Sequence, residues 1–136
     1  GIGRMPDWSC HMIEHELSAF YDVPHGAGLT VLTPAWMKYV YKDNLPIFVQ
    51  FAIQMMGVEP TRNLTEIAEE GIRRLVSLYR EFDMPTTMAE LGIPDGSRFE
   101  EIAKRAVYYD EMPDYRLGYM KALSWEDIMN ILQLAC

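Results

Sequence analysis

All three histidines of the chain, His11, His15 and His25, fall in one window. The stretch reads His11-Met-Ile-Glu14-His15-Glu16 and closes on Pro24-His25-Gly26. On a helix, residues four apart share a face, so His11 and His15 present two imidazoles side by side. The Pro24-His25-Gly26 turn can fold a third imidazole back toward them. A helix that begins after His25 aims its positive end at that side chain, which disfavours the imidazolium and favours the neutral, metal-binding form. Imidazoles at i and i+4 with a third nearby are usual metal-site spacing. The plainer alternative is three unrelated polar side chains on a surface helix.

The same residues satisfy a second pattern. His11-Met-Ile-Glu14-His15 matches H-x-x-E-H, in which two histidines bind zinc and the glutamate is the general base of a hydrolase. Five residues of pattern recur easily by chance. The chain is short for the substrate chamber such enzymes use, and nothing downstream singles out a third carboxylate ligand. A small zinc hydrolase therefore stays as an alternative.

The elements that must position these side chains read as helices almost throughout. Asp7 and Ser9 are N-cap residues for a first helix over 8–21. Pro24, Gly26 and Gly28 break the chain. A second segment over 27–41 carries Leu29, Leu32, Trp36, Met37 and Val40 at helical spacing. Its start, Leu29 to Thr33, is also compatible with a strand, and Pro34 is expected to kink or divide it. Asn44 caps a third helix with Pro46 in its first turn, an inner face of Phe48, Phe51, Ala52 and Met55, and an end at Gly57. The fourth is the clearest. Asn63 and Glu66 are spaced as a capping box, and Leu64, Ile67, Ala68, Ile72, Leu75, Tyr79 and Phe82 form its stripe. Glu69 with Arg73 and Glu70 with Arg74 are favourable i,i+4 pairs on its wet side.

Pro85-Thr86-Thr87 opens a short helical turn ending near Leu91-Gly92. Ser97 and Glu100 are spaced to cap a helix with Phe99, Ile102, Ala103, Ala106 and Val107 inside. The stretch 110–121 reads as a loop. Ser124 and Asp127 cap a last helix burying Trp125, Ile128, Met129 and Leu132. About seven helical segments and no convincing strand predict an all-α helical bundle, a single domain over 1–136.

Composition narrows the function classes. The chain has 136 residues, 49% of them hydrophobic, which excludes a disordered tail and suffices for a sizeable core. Its 12 basic and 20 acidic residues give a net charge of -8, a poor match for nucleic acid or an anionic membrane surface. No apolar run is long enough for a membrane span. Cys10 and Cys136 are not a disulfide framework and fit a reducing, cytoplasmic setting.

The stretch Asp7-Trp-Ser-Cys-His11-Met-Ile-Glu-His15-Glu-Leu-Ser-Ala-Phe-Tyr-Asp-Val-Pro-His25-Gly-Ala-Gly-Leu29, with Pro34-Ala-Trp-Met37, resembles the iron-containing (group III) alcohol dehydrogenases. The resemblance is nearest to their butanol dehydrogenase-like branch. The pattern is a His-x-x-x-His, a His-Gly ten positions on, and a hydrophobic run to Pro; all of it is present. Residues 52–58, 86–93 and 123–132 resemble the family's downstream helical segments.

This resemblance implies the C-terminal portion of a dehydroquinate synthase-like helical domain. It implies that His11 and His25 are metal ligands, with Fe2+ ahead of Zn2+. His15 would lie near nicotinamide and substrate, orienting substrate or passing a proton, as the one catalytic side chain. The family's remaining ligands, an Asp and a His, lie upstream, as does the dinucleotide-binding domain; no G-x-G-x-x-G follows a strand here, so no residue is assigned to cofactor binding. The implied reaction of the complete enzyme, a homo-oligomer, interconverts primary alcohols and aldehydes with NAD(P)H. This chain alone is expected to be inactive and to self-associate through an uncovered apolar face. If the gene encodes only this piece, a non-catalytic helical interaction module is the remaining reading.

Weaker features accompany the histidines. Asp7 reads as a helix cap. Cys10 is a possible soft ligand but more simply a small buried hydrophobe. Phe20, Tyr21 and Trp36 are either cavity-lining or plain core. Tyr108, Tyr109, Tyr115 and Tyr119 frame a loop.

Overall fold

The helix that opens at His25 is buried over most of its length. The computed structural model describes residues 16–18, 21, 24–61, 63–93, 96–109 and 124–136, with the backbone alone for 25 and 106–109. Its helices are α1 (His25–Val40), α2 (Leu45–Gln54), α3 (Leu64–Glu81), α4 (Phe99–Tyr109) and α5 (Trp125–Leu134), with 3-10 turns at Tyr41–Asn44 and Ala89–Leu91. Residues 16–18 and 21 are helical as well, and no strand occurs among the described residues. The all-α expectation holds. Five α-helices are described against about seven expected segments. The difference lies in the stretch after Pro85, which makes only a 3-10 turn, and in the first helix, described only at 16–18 and 21.

α1 packs against α3 and α5, α2 against α3, and α4 against α5. Every residue from Thr30 to Met37 is buried. A helix covered on all sides has no polar face, which is why its sequence shows no sharp stripe and why Leu29 to Thr33 is compatible with a strand. Those residues are helical, and Pro34 sits inside α1 without dividing it. Proline removes one helical hydrogen bond, at a cost of roughly 3 kcal/mol or more. Burial of Val31, Leu32, Ala35, Trp36 and Met37 around it offsets that cost. The Thr30 hydroxyl, 2.7 Å from the Pro85 carbonyl oxygen and 3.0 Å from that of Ala27, ties the start of α1 to the chain after α3.

α2 and α3 cross at Gly71. A Cβ there would lie 2.5 Å from the Ala52 Cβ and 2.9 Å from its Cα, so glycine is what permits the approach. The inner faces agree with the sequence reading at Phe48, Phe51, Ala52, Ile67, Ala68, Ile72 and Leu75. They fail at the helix ends. Met55 is 54% exposed, Leu64 50% and Phe82 71%, because each stands in a terminal turn beyond the facing helix. Other large apolar side chains exposed among the described residues are Ile47, Leu78 and Leu134. Gly57 takes a left-handed φ of 68° just after α2, and the Asn63 side chain accepts a hydrogen bond from the Glu66 N–H at 3.1 Å. Asn44 precedes α2, but its amide donates back to the Val40 carbonyl instead of capping forward.

Of the two i,i+4 pairs expected on α3, Glu70 with Arg74 forms, whereas Arg73 also turns to Glu70 and not to Glu69. Glu70 takes both Arg73 (3.1 Å) and Arg74 (3.6 Å). Glu69 turns inward and accepts the Tyr41 hydroxyl at 2.8 Å. Burial, then the hydrogen bond and the negative charge of Glu69, push the Tyr41 phenol up to about 12 from an ordinary value of 10.0. The folded state therefore holds this proton more tightly than the unfolded chain. The associated stability is whole below pH 10 and is lost as the pH rises toward 12. Urea midpoints of the native chain are expected to fall across that window, and those of Tyr41→Phe to fall less steeply.

α5 opens with a reciprocal capping box: the Ser124 N–H donates to Asp127 Oδ2 at 2.9 Å and the Asp127 N–H to Ser124 Oγ at 3.3 Å. Asp127 also accepts the Tyr39 hydroxyl, which fastens α5 to α1. Lys104 Nζ lies 4.5 Å from the centroid of Trp125 and links α4 to α5. No described helix is long and apolar enough to cross a membrane.

Candidate functional site

His25 is the first residue of α1, following Pro24 in extended backbone (φ -61°, ψ 141°). The helix thus begins at His25 itself, two residues earlier than the segment expected over 27–41. The Gly28 N–H closes the first turn onto the Pro24 carbonyl at 3.0 Å. Proline before the first helical residue fixes where the turn starts. The mount is rigid, because α1 is buried without interruption from Thr30 to Met37.

His11 and His15 lie outside the described residues, but the turn directly after His15 is described and firmly anchored. Leu17 is fully buried in the core, and Glu16 is only 7% exposed. Arg105 of α4 donates from Nε to Glu16 Oε2 at 3.0 Å, an ion pair across 89 positions of sequence. Tyr21 packs half-buried against the same core. One helical turn is therefore held by a buried carboxylate and a buried leucine at adjacent positions. The sequence reading singled out neither. The available signal was Glu16 standing beside Leu17 just after the His11-x-x-x-His15 pattern, with Arg105 one of several basic residues open to it as a partner.

The weaker features divide. Trp36 is core: it is 1% exposed, and its ring sits 6.0 Å from that of Phe48 at an interplanar angle of 57°. Tyr108 and Tyr109 end α4 with their side chains outside the description. Asp7, Cys10, Phe20, Tyr115 and Tyr119 also lie outside the described residues. Among the described residues, no three His, Cys, Asp or Glu side chains gather in a way that would hold a metal ion. A donor set of imidazoles from the histidine window fits Fe2+ or Zn2+ in chemistry, and His25 is the member whose backbone position is described.

The chain is similar to known proteins along its whole length. The model of the Fe-containing alcohol dehydrogenase family, C-terminal part, matches residues 1–136. NADH-dependent butanol dehydrogenase A of Clostridium acetobutylicum is 35% identical over 133 residues, covering 97% of this chain and 33% of that protein. Probable NADH-dependent butanol dehydrogenase 1 of Bacillus subtilis is likewise 35% identical, with the same coverage of each. The crystal structure of NADH-dependent butanol dehydrogenase A from Thermotoga maritima superposes with a TM-score of 0.83 at 36% identity, over 94% of this chain and 32% of that one. The chain spans about a third of the length of the curated relatives it matches. An all-helical bundle, a complete His-x-x-x-His…His-Gly pattern and a match along its whole length place the chain in the Fe-containing alcohol dehydrogenase family, in the C-terminal part of that family's pattern.

Proposed function

We propose that residues 1–136 form one helical domain, the metal-binding C-terminal part of an NAD(P)H-dependent alcohol dehydrogenase that interconverts primary alcohols and aldehydes of the butanol type. The observation that carries this reading is the histidine pattern, with its last member mounted as the first residue of a buried helix. The names of the relatives, butanol dehydrogenases using NADH, support the substrate and cofactor classes.

His11 and His25 hold the metal through neutral imidazole nitrogens, with Fe2+ preferred over Zn2+. When bound, the metal supplies Lewis acidity at the substrate oxygen. His15 orients the substrate or moves a proton at its oxygen. No phosphate cradle is assigned in this chain, so nicotinamide binding belongs to the rest of the enzyme, and the isolated chain turns over no alcohol with NAD(P)H.

Two histidines are fewer than the three protein ligands that stable sites use. The chelated chain, titrated with Fe2+ or Zn2+ beside a His11→Ala/His25→Ala double variant, is therefore expected to bind weakly. Submicromolar binding that disappears in the double variant would mean the chain builds a full site alone, and would bring the hydrolase reading forward.

A further inference from the structure

The chain is strongly acidic, and among its described residues nearly every cation is neutralised locally. Arg73 and Arg74 pair with Glu70, Arg80 with Glu90, Arg98 with Glu101, Lys104 with Glu100 and Arg105 with Glu16. Lys38 and Lys42 are the described cations without a carboxylate at ion-pair distance. They line one cleft of about 500 Å³ between the end of α1 and α3, together with Arg73, Glu69, Tyr39, Tyr41 and Ile72. Lys38 is 13 positions beyond His25, about 20 Å along the α1 axis, so the cleft lies far from the histidine that opens this helix.

We infer that this cleft is a binding site for a small organic anion, recognised by the ammonium groups of Lys38 and Lys42. The volume is that of a small-molecule pocket. Ile72, the Tyr39 ring and the alkyl stems of the two lysines supply an apolar wall for the uncharged part of the ligand. Lys42 already lies 5.9 Å from the centroid of Tyr41, which sets its ammonium group over the ring. Among the described residues, Glu69 is the one carboxylate lining the cleft, and it accepts the Tyr41 hydroxyl. The adjoining cleft, which shares Glu69 and Arg73, adds Glu59, Glu66 and Glu70. An extended polyanion would run into those charges, whereas a compact anion reaches the lysines without meeting them. The inference does not depend on the metal or on the dehydrogenase reading.

The test is a titration of the chain with phenyl phosphate, benzoate, inorganic phosphate and neutral phenol, followed by amide chemical shifts. Phenyl phosphate, benzoate or both are expected to bind with shifts concentrated at 38–42 and 69–73. Inorganic phosphate should bind at least fivefold more weakly, and phenol not at all. The arm that binds more tightly identifies phosphate ester or carboxylate as the headgroup. Lys38→Ala/Lys42→Ala, both exposed positions, should weaken binding about tenfold without changing the unfolding midpoint. Glu69→Gln, which keeps the acceptor for Tyr41 and removes the opposing charge, should tighten it. Scattered shifts, equal affinity for inorganic phosphate, or indifference to the lysine pair would overturn the inference. So would sedimentation showing a dimer that the lysine variant abolishes while neither organic anion binds, since the occupant would then be a second copy of the chain.

Discussion

Trp36→Ala is expected to lower stability by about 3–5 kcal/mol, a large share of the 5–15 kcal/mol typical of a domain. Trp36 is among the largest side chains buried to below 2% exposure, on the helix that packs against both α3 and α5. Truncation removes the transfer free energy of the indole and opens a cavity beside Phe48 that the rigid α1 cannot close. Trp36→Phe keeps most of the apolar volume and should cost clearly less. Urea unfolding of the two variants beside the native chain decides the matter. A small and equal loss for both would mean that the indole fills no tight core and would reopen its reading as a cavity wall.

Gly71→Ala should destabilise by about 1–3 kcal/mol, although alanine is the better helix former by roughly 1 kcal/mol. The new methyl would meet the Ala52 Cβ at 2.5 Å and its Cα at 2.9 Å; the latter is backbone and cannot rotate aside. The two helices must therefore part, and Phe51, Ile67 and Ala68 near the crossing lose contact. Ala52→Gly in the Gly71→Ala background removes the nearer clash and should recover part of the loss. Greater stability of the single variant, read from its thermal midpoint, would show that the helices are farther apart than described.

What the sequence conveyed depended on whether a residue's partner was near in sequence. α3 was legible because one face is wet and the other dry, and because Asn63 and Glu66 stand three apart. The Ser124 and Asp127 box was legible for the same reason. α1 was harder, since burial on every side erases the stripe and Pro34 looks like a break. The stripes overran at Met55, Leu64 and Phe82 because periodicity does not say where the neighbouring helix stops. Glu69 with Tyr41 and Glu16 with Arg105 join positions far apart in sequence, and no local spacing announces them. Gly71 had a faint signal, a lone glycine within an otherwise strong helix pattern.

The candidate site was legible in its donors because the spacing of His11, His15 and His25 is itself the motif. Its anchoring was not. Glu16, Leu17 and the exact start of α1 follow from tertiary packing, which fixes a helix face only once the other helices are in place.

The central claim, that this chain works as the metal-binding C-terminal part of an alcohol dehydrogenase, is tested most directly by a graft. The chain would replace the matched third of Clostridium acetobutylicum NADH-dependent butanol dehydrogenase A. NADH-linked butyraldehyde reduction and bound metal would then be measured on the same sample. The account predicts turnover with bound metal, loss of both on His11→Ala or His25→Ala, and retained metal with lowered kcat on His15→Ala. A graft that keeps its metal and its turnover with both His11 and His25 replaced by alanine would contradict it.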